Sequence, residues 1–299
     1  MGRKKQNIEK QKVLFHLYLN PYIRESNTRI YDVLLQTYNR TYEAIYKDIK
    51  ENPKKIYDVH LKEANATIHN QYCSEYADPS DYYEQLQEYV VERVQEQSLM
   101  HYQFKLMSLS NLYQVFEQQL RKWLFEEMTH SQNEYTNQIK FVLKYEEDTY
   151  SGFYNNFRIL TNLLKEMNLT FPMQASETGE MSEWEIFFND VEDKGKDIPI
   201  VQTEIWNLIR ECNLISNTYK HGSGNSAKAL YKIRPEYFEK VSDTKLMNLY
   251  RTTNMEEVLS VDKICFETYS TVMKTFWEKL KEHQSGFVLM EIDMSPEEE

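Results

Sequence analysis

One predicted helix carries a line of polar side chains whose types suit phosphodiester chemistry. At about 100° per residue, side chains spaced by three or four positions stack along one face. This polar stripe consists of Trp206, Arg210, Asn213, Asn217 and His221, with Lys220 close by. An imidazole exchanges protons near neutral pH, a guanidinium binds phosphate oxygens with parallel hydrogen bonds, and carboxamides orient a polar group. The polar stripe therefore combines phosphate binding with proton transfer.

The polar stripe also has a purely structural interpretation. Lys220 and His221 fall in the last predicted turn, where the helix dipole favours cations by about 0.3–1 kcal/mol. Polar residues on one face of a helix often have no other role than to keep that face in contact with water. Asn is a mediocre helix former, however, and Asn213 and Asn217 both fall in mid-helix. Both interpretations stay open on the sequence alone.

The predicted helix, 200–220, positions the polar stripe by burying its opposite face. That face holds Ile205, Leu208, Ile209, Cys212, Ile215 and Tyr219. Gly222 follows where a left-handed C-terminal cap is expected. Asn225 or Ser226 is then the predicted N-cap of a short basic helix that ends before Pro235.

Helical periodicity dominates the rest of the chain. Apolar spacings of three and four predict further helices over 23–49, 57–69, 78–128, 130–148, 154–167 and 261–281. The third of these helices is expected to bend near 97–101, and residues 1–12 are expected to be frayed. Gly and Pro number only seven each, which is typical of helical proteins. The predicted fold class is therefore all-α.

We predict an N-terminal helical extension followed by a helical bundle. The extension covers 1–78 and the bundle covers 79–285. An acidic insertion at about 168–197, with a short helix around 184–188, is interpreted as a solvated loop. The segment 286–299 is predicted to be a tail that begins with a short strand or an extended stretch.

Composition narrows the possible partners and compartments. The net charge of −12 and the pI near 5.2 disfavour broad adhesion to nucleic acid or to anionic membranes. Any nucleic-acid contact therefore needs a local basic patch. Three cysteines without metal-type spacing, and no long apolar run, predict a reduced, cytoplasmic protein without a membrane span. Only His60 and Glu63 form an organised metal-type pair, so we expect no metal and no cofactor.

Four segments give the region 106–280 a family resemblance. A long helix ends in FEQQLRKWLFEE, a later helix ends in NTYKHGSG, a basic turn contains RPEYF, and a last helix ends in TFWEKL. This order resembles the HEPN-type helical bundles, which are common in bacterial toxin and phage-defence systems. The resemblance implies a bundle of four or five helices that is often a homodimer. Active members are metal-independent ribonucleases whose motif is an Arg, four to six residues, and then a His.

The motif transfers to this chain only in part. The motif typically has a polar residue after the Arg. His221 matches the motif histidine, and Asn217, four positions before it, matches this polar residue. The motif arginine would fall at one of three positions, and none of them is Arg: they are Leu214, Ile215 and Ser216. Arg210 lies further back on the same helical face, which permits a shifted site.

The resemblance leads to a first hypothesis, a metal-independent endoribonuclease. His221 would act as acid or base, and basic groups would stabilise the charge on phosphorus. The expected catalytic residues are His221, Arg210 and Asn217, and the expected substrate-binding residues are Asn213, Lys220, Lys228 and Arg234. Tyr231 or Trp206 would stack a base. The expected partner is RNA, and a homodimer would double the local positive charge.

The second hypothesis is a non-catalytic helical subunit that binds a protein partner or senses a signal within a defence complex. In this case the polar stripe is an interface, or a network that fixes the register of the helices. The missing motif arginine and the acidic net charge favour this alternative.

Overall fold

A computed structural model describes residues 8–68, 79–130, 133, 135, 157–172, 197–241, 244–245 and 258–293. Most of these residues are helical, as the periodicity predicts. Residues 130, 133 and 135 of the predicted helix 130–148 lie in bends or turns, and the rest of it lies outside the described residues. The short helix at 184–188 and most of the acidic insertion lie outside them as well.

The helices follow the predicted order. They are α1 (Pro21–Thr41), α2 (Lys47–Glu51), α3 (Pro53–Ile68), α4 (Pro79–Met128), α5 (Phe157–Glu166), α6 (Glu204–His221), α7 (Asn225–Ile233) and α8 (Phe266–Lys279). A π-helical turn, Tyr42–Tyr46, joins α1 to α2. The helix α4 runs without interruption through 97–101, where a bend was expected, because no Gly or Pro follows Pro79 within it.

Strands are present as well, so the all-α prediction is too strong. β1 (Ile8–Tyr18) pairs antiparallel with β6 (His283–Asp293) along its full length. Two short antiparallel pairs are formed by β2 (Thr170–Phe171) with β3 (Ile198–Pro199), and by β4 (Lys240–Val241) with β5 (Thr244–Lys245).

The strand β1 corrects the prediction of a frayed segment through residue 12. Val13, Phe15 and Leu17 are buried while the residues between them are exposed, which is the period-two pattern of a half-buried strand. On β6, Gly286 faces Phe15 in the register. A Cβ on Gly286 would lie 2.4 Å from the backbone oxygen of Met167, so only glycine fits this close approach.

The described residues divide into two compact units. The first unit takes the chain up to Tyr31, Tyr113–Glu211, and the chain from Thr271 onwards, whereas the second takes Asp32–Leu112 and Cys212–Ser270. The predicted extension 1–78 thus contributes residues to both units. So does the predicted bundle 79–285, and β6 includes residues 286–293 of the predicted tail.

An aromatic core fills the first unit. The Phe276 ring is fully buried and packs edge-on against Phe116 and Phe171, with ring centroids 5.0 and 5.5 Å apart. Trp277 adds a further edge-on contact at 5.6 Å. Such pairs add about 0.5–1.5 kcal/mol each beyond the burial of their area.

The second unit has an aliphatic core and a separate small cluster. Its fully buried residues include Leu106, Leu109, Leu112, Ile215 and Leu230. The smaller cluster joins Ala64 and Ile68 of α3 to Leu86 and Val90 of α4.

Candidate functional site

The end of α6 folds as the glycine pattern predicts. Gly222 adopts a φ of 64°, and its N–H donates to the Thr218 carbonyl at 2.9 Å. This left-handed residue ends the helix and turns the chain into α7. The predicted N-cap is wrong, because Gly224 occupies that position and makes no side-chain cap hydrogen bond. The predicted end of α7 before Pro235 is confirmed.

The predicted apolar face of α6 is buried in part, since Ile205, Leu208 and Tyr219 are only half-buried, and Trp206 joins the buried side. Ile209, Cys212 and Ile215 are fully buried. Trp206 is only 2% exposed, and its ring centroid lies 6.1 Å from that of Phe276. The position of Trp206 on the polar stripe, and with it the base-stacking role, is therefore wrong: the large indole gains more from the aromatic core than from solvent.

The other members of the polar stripe differ in exposure and spread along the axis. Arg210, Lys220 and His221 are exposed, Asn217 is half-buried and Asn213 is buried. Asn217 Nδ2 donates to Asn213 Oδ1 at 3.3 Å. At 1.5 Å per residue, His221 lies about 6 Å along the axis from Asn217 but about 16 Å from Arg210. The helix thus brings Asn217, Lys220 and His221 together and places Arg210 in a different part of its surface.

The three positions where the family motif would place an arginine all face the interior. Leu214, Ile215 and Ser216 are at most 9% exposed. Ser216 Oγ lies 2.5 Å from Ser110 Oγ of α4, and both hydroxyls are buried. A guanidinium at position 216 would therefore replace a satisfied buried hydroxyl pair.

The helix α7 contributes the remaining predicted cations. Lys228 and Lys232 are exposed. The Arg234 guanidinium lies 5.9 Å from the Tyr237 ring centroid and 3.8 Å from a Glu236 carboxylate oxygen. The Tyr231 ring is half-buried and packs edge-on against Phe238 at 5.4 Å. We call Asn217, Lys220, His221, Lys228 and Lys232 the α6–α7 corner.

The α6–α7 corner lies in a segment without acidic residues. Residues 212–235 include four Lys or Arg and no Asp or Glu, in a chain with 47 acidic residues. No described residue forms an ion pair with Lys220, His221 or Lys228. Positive charge is therefore concentrated along this segment of the chain.

A second polar cluster in the same unit was not predicted. The Asp262 carboxylate lies 2.9 Å from Lys50 Nζ and 3.8 Å from Lys105 Nζ, and Lys105 Nζ also donates to the Val261 carbonyl at 3.3 Å. His101 is buried nearby, and its ring is stacked on Tyr46 with centroids 5.4 Å apart and tilted by 45° to the Tyr42 ring at 5.6 Å. We call these residues the Lys105 network.

Burial and ion pairing shift the pKa values in the Lys105 network. Burial is the main cause that lowers the pKa of Lys105 and of His101. The hydrogen bond from Lys50 is the main cause that lowers the pKa of Asp262. Sequence patterns give no signal for this network, because its members come from three distant segments.

The sequence also missed a cleft in the first unit that is lined by three histidines. They are His16 of β1, His130 after α4 and His283 of β6, together with Glu127, Gln284 and Ser285. The period-two pattern of β1 was the available signal, since it places His16 on the solvent face beside its partner strand. Among the described residues, no three His, Cys, Asp or Glu side chains are arranged to hold a metal ion. His60 does pair with Glu63 at 2.8 Å.

Within the described residues, no helix has both the length and the hydropathy that a membrane span requires. Neither the known family models, nor the curated proteins, nor the solved structures contain a match to this chain.

Proposed function

We propose that this chain is a HEPN-like effector that acts on RNA at the α6–α7 corner. The observation that carries the proposal is the acid-free segment 212–235, which concentrates exposed cations in an otherwise acidic protein. Phosphate contacts supply most of the sequence-independent affinity for nucleic acid. Lysines that lack a carboxylate partner are the groups most available for such contacts.

The chemistry assigned to the α6–α7 corner centres on His221. Its imidazole lies in the last turn of α6 and is exposed, so RNA can reach it. An acid or base at this position would exchange a proton with the 2′-hydroxyl or with the leaving oxygen. Asn217, one turn earlier, would orient the scissile phosphate, and Lys220 would stabilise the charge that develops on it.

The role proposed for Arg210 changes with the geometry. At about 16 Å along the helix axis, Arg210 is too far away to share one phosphate with His221. Its place in the proposal is contact with a neighbouring nucleotide, while Lys220 and Lys228 provide the charge at the reacting phosphate. Asn213 supports Asn217 from inside the helix through the 3.3 Å hydrogen bond.

The HEPN-like bundle and the homodimer belong to the same proposal. The helical content and the left-handed stop at Gly222 support it. A second copy of the chain would bring a second α6–α7 corner to the same RNA and so offset the net charge of −12.

Cleavage of RNA by the purified full chain tests this function. We expect metal-independent cleavage, measured in EDTA, that falls at least 100-fold in His221→Ala, since general acid–base groups contribute about 10²–10⁴-fold. Lys122→Ala is the matched control, because Lys122 is an exposed lysine that already pairs with Glu126. Equal cleavage by wild type and His221→Ala would refute the catalytic role.

Binding is tested separately from cleavage. The logarithm of the RNA affinity falls linearly with the logarithm of the salt concentration, and each phosphate contact that is lost makes this slope less steep by about one. We expect this change in Lys220→Ala and in Lys228→Ala, but not in Lys122→Ala. If all three variants keep the wild-type slope, RNA does not contact the α6–α7 corner.

A second candidate function is a non-catalytic subunit that binds a protein partner or senses a signal. The buried pair of Ser216 and Ser110 favours it, because this pair occupies a position where the resemblance expects an arginine. The buried Asn213 adds a polar group that fixes the register of α6. If wild type neither binds nor cleaves RNA, while Asn217→Ala dissociates a complex or a dimer in sedimentation experiments, this second function replaces the first.

A further inference from the structure

One segment of the second unit is held in place by few contacts. We call it the latch segment, and it consists of the π-helical turn Tyr42–Tyr46 and α2 (Lys47–Glu51). Single π-helical turns are rare and are frequent at functional sites. Because none of its residues is buried, the latch segment opens at a lower free energy than the core of its unit. The few groups that contact it therefore decide how often it opens.

Aromatic rings hold the π-helical end of the latch segment against α4. The Tyr46 ring is stacked on Phe104 with centroids 4.9 Å apart, and on His101 at 5.4 Å. The Tyr42 ring lies 5.6 Å from the His101 ring. His101 is buried beneath these two tyrosines, with only 8% of its surface exposed. The burial of His101 therefore depends on the latch segment staying closed.

Among the described residues, one ion pair joins the α2 end of the latch segment to a distant part of the chain. Lys50 Nζ lies 2.9 Å from Asp262 Oδ1, which belongs to the 3-10 helical turn Val261–Lys263. The other described ion pairs of the latch segment stay within it or reach only the start of α3. The same Asp262 oxygen lies 3.8 Å from Lys105 Nζ. One carboxylate therefore faces two ammonium groups.

A positive charge on His101 is disfavoured in this position. Burial is the main cause that lowers the pKa of His101, and the charge of Lys105 adds to it. The His101 Nε2 atom is buried without a hydrogen-bond partner among the described residues. The faces of the Tyr42 and Tyr46 rings attract a cation, but burying an unpaired charge costs more than such contacts contribute. A protonated His101 would be a third positive charge beside the Asp262 carboxylate.

We propose that the latch segment is a proton-operated switch, which is closed while His101 is neutral and opens once His101 has taken up a proton. In the open state, water reaches the imidazolium and provides hydrogen bonds to both ring nitrogens. The rings of His101 and Phe104 become accessible on α4, and Lys50 separates from Asp262. The switch does not depend on the function proposed for the α6–α7 corner, because it uses none of the residues assigned there.

The direction of the switch follows from the number of protons that each state binds. The exposed imidazole of the open state has the ordinary pKa of about 6.5, whereas burial lowers the pKa of His101 in the closed state. The open state therefore binds more protons, and its population rises as the pH falls below about 6.5. The other titratable groups around His101 have ordinary pKa values outside the range from pH 5.5 to pH 8. They are Tyr42, Tyr46, Lys50, Lys105 and Asp262.

Amide hydrogen exchange of the full chain, corrected for the intrinsic rate, tests the switch. We expect the protection of residues 42–51 to fall roughly three- to eightfold between pH 7 and pH 5.5, because one proton is taken up with an ordinary pKa near 6.5. Equal protection at both pH values overturns the proposal. The NMR shifts of the His101 ring protons should titrate with a midpoint below about 6.5. A midpoint at or above this value also contradicts the proposal.

Low concentrations of urea distinguish opening of the latch segment from unfolding of the whole unit. Local opening exposes little surface, so exchange in residues 42–51 should not depend on urea below the unfolding transition. Amides around the fully buried Ile215 of α6 should exchange more slowly, and their exchange should accelerate steeply with urea. If residues 42–51 respond to urea as strongly as Ile215 does, the latch segment opens only together with its unit, and the proposal is wrong.

Variants of His101 and of Lys50 identify the groups that operate the switch. His101→Phe keeps a ring beneath the tyrosines but takes up no proton, and His101→Gln replaces it if the larger ring does not fit. Either variant should abolish the pH dependence of protection in residues 42–51, and a pH dependence that persists overturns the proposal. Lys50→Ala removes the ion pair with Asp262, and protection at pH 7 should fall about two- to fivefold, as expected for a partly exposed pair. Lys47→Ala is the matched control, because this exposed lysine of the same helix pairs with Glu51 inside the latch segment. Protection should be unchanged in Lys47→Ala, and equal protection in the two lysine variants contradicts the proposal.

Discussion

Two cationic regions of the second unit differ in the burial and the ion pairing of their positive charges. In the Lys105 network, Asp262 lies between Lys50 and Lys105, and the Lys105 side chain is only 14% exposed. At the α6–α7 corner, Lys220, His221 and Lys228 are exposed, and none of them forms an ion pair with a described residue. Shielded charge needs a partner within the fold, because desolvation is costly. Exposed cations that form no ion pair with a described residue are available to contact a ligand, which is why the function is proposed at the α6–α7 corner.

The largest effect is expected for a variant that places a cation on the buried side of α6. Ser216→Arg puts the motif arginine at a position that is 1% exposed and paired with Ser110. We expect a loss of about 3 kcal/mol or more in the free energy of unfolding, measured with urea, because the charge is buried without a partner.

The neighbouring residue gives the matched control for this variant. Asn217 is half-buried and lies on the polar side. Asn217→Arg should change the free energy of unfolding by no more than about 1 kcal/mol. If the two variants are equally stable, position 216 is not shielded as described, and the motif arginine is compatible with this fold.

Removing the shared carboxylate of the Lys105 network should have a medium effect. Asp262→Ala leaves Lys50 and Lys105 close together without their counter-ion. The Asp262 side chain is 54% exposed, so we expect a loss of about 1–2 kcal/mol, below the roughly 3–5 kcal/mol of a fully buried pair.

Thermal and urea unfolding measure this loss, and Lys220→Ala provides the comparison. Because Lys220 has no ion pair among the described residues, its removal should change stability by less than about 0.5 kcal/mol. Equal losses in Asp262→Ala and Lys220→Ala would show that the Lys105 network is no more structural than the α6–α7 corner.

The smallest expected effect is a pH response that differs between the two units. Burial lowers the pKa of His101, so the folded state binds fewer protons than the unfolded state. The free energy of unfolding of the second unit should therefore decrease as the pH falls below about 6.5. The lowered pKa of Asp262 adds a further decrease below about 3.9.

Glu127 makes the stability of the first unit depend on pH in the opposite direction, because burial raises the pKa of Glu127. Its carboxyl penalises the folded state as the pH rises above about 4.3, the ordinary value for Glu. Amide hydrogen exchange at pH 5 and pH 7, corrected for the intrinsic rate, measures both units in one sample. Protection around His101 should fall at pH 5, and His101→Gln should abolish that change while His221→Ala keeps it. If amide protection changes with pH in the same direction in both units, His101 and Glu127 do not have the opposite effects assigned to them.

Local patterns were sufficient to predict α6, its apolar face and its stop at Gly222. Each depends only on neighbouring residues and on the conformations that glycine permits. The prediction that Trp206 lies on the polar stripe was wrong. Helical periodicity gives the direction of a side chain, but it does not show which other part of the chain packs against that side chain. In this fold Phe276, 70 residues later in the chain, covers that direction.

Nonlocal contacts account for what the sequence did not predict. The strand β1 has the alternation of a strand, but its partner lies at the other end of the described chain. The Lys105 network and the cleft lined by His16, His130 and His283 each combine groups from three segments, and no spacing within one segment indicates that these groups meet. Local sequence therefore predicted only the stretch in which α6 leads directly into α7 at Gly222.

The pairing of β1 with β6 sets the order in which this protein can fold. His16 and Ser285 are register partners, yet they are 269 positions apart in sequence. At about 5–20 residues per second, the ribosome releases the first strand roughly 15–50 s before its partner has been made. During that interval the apolar side of β1, with Val13, Phe15 and Leu17, must be shielded by other parts of the nascent chain or by a chaperone. The cleft lined by His16, His130 and His283 is completed only when translation has delivered β6.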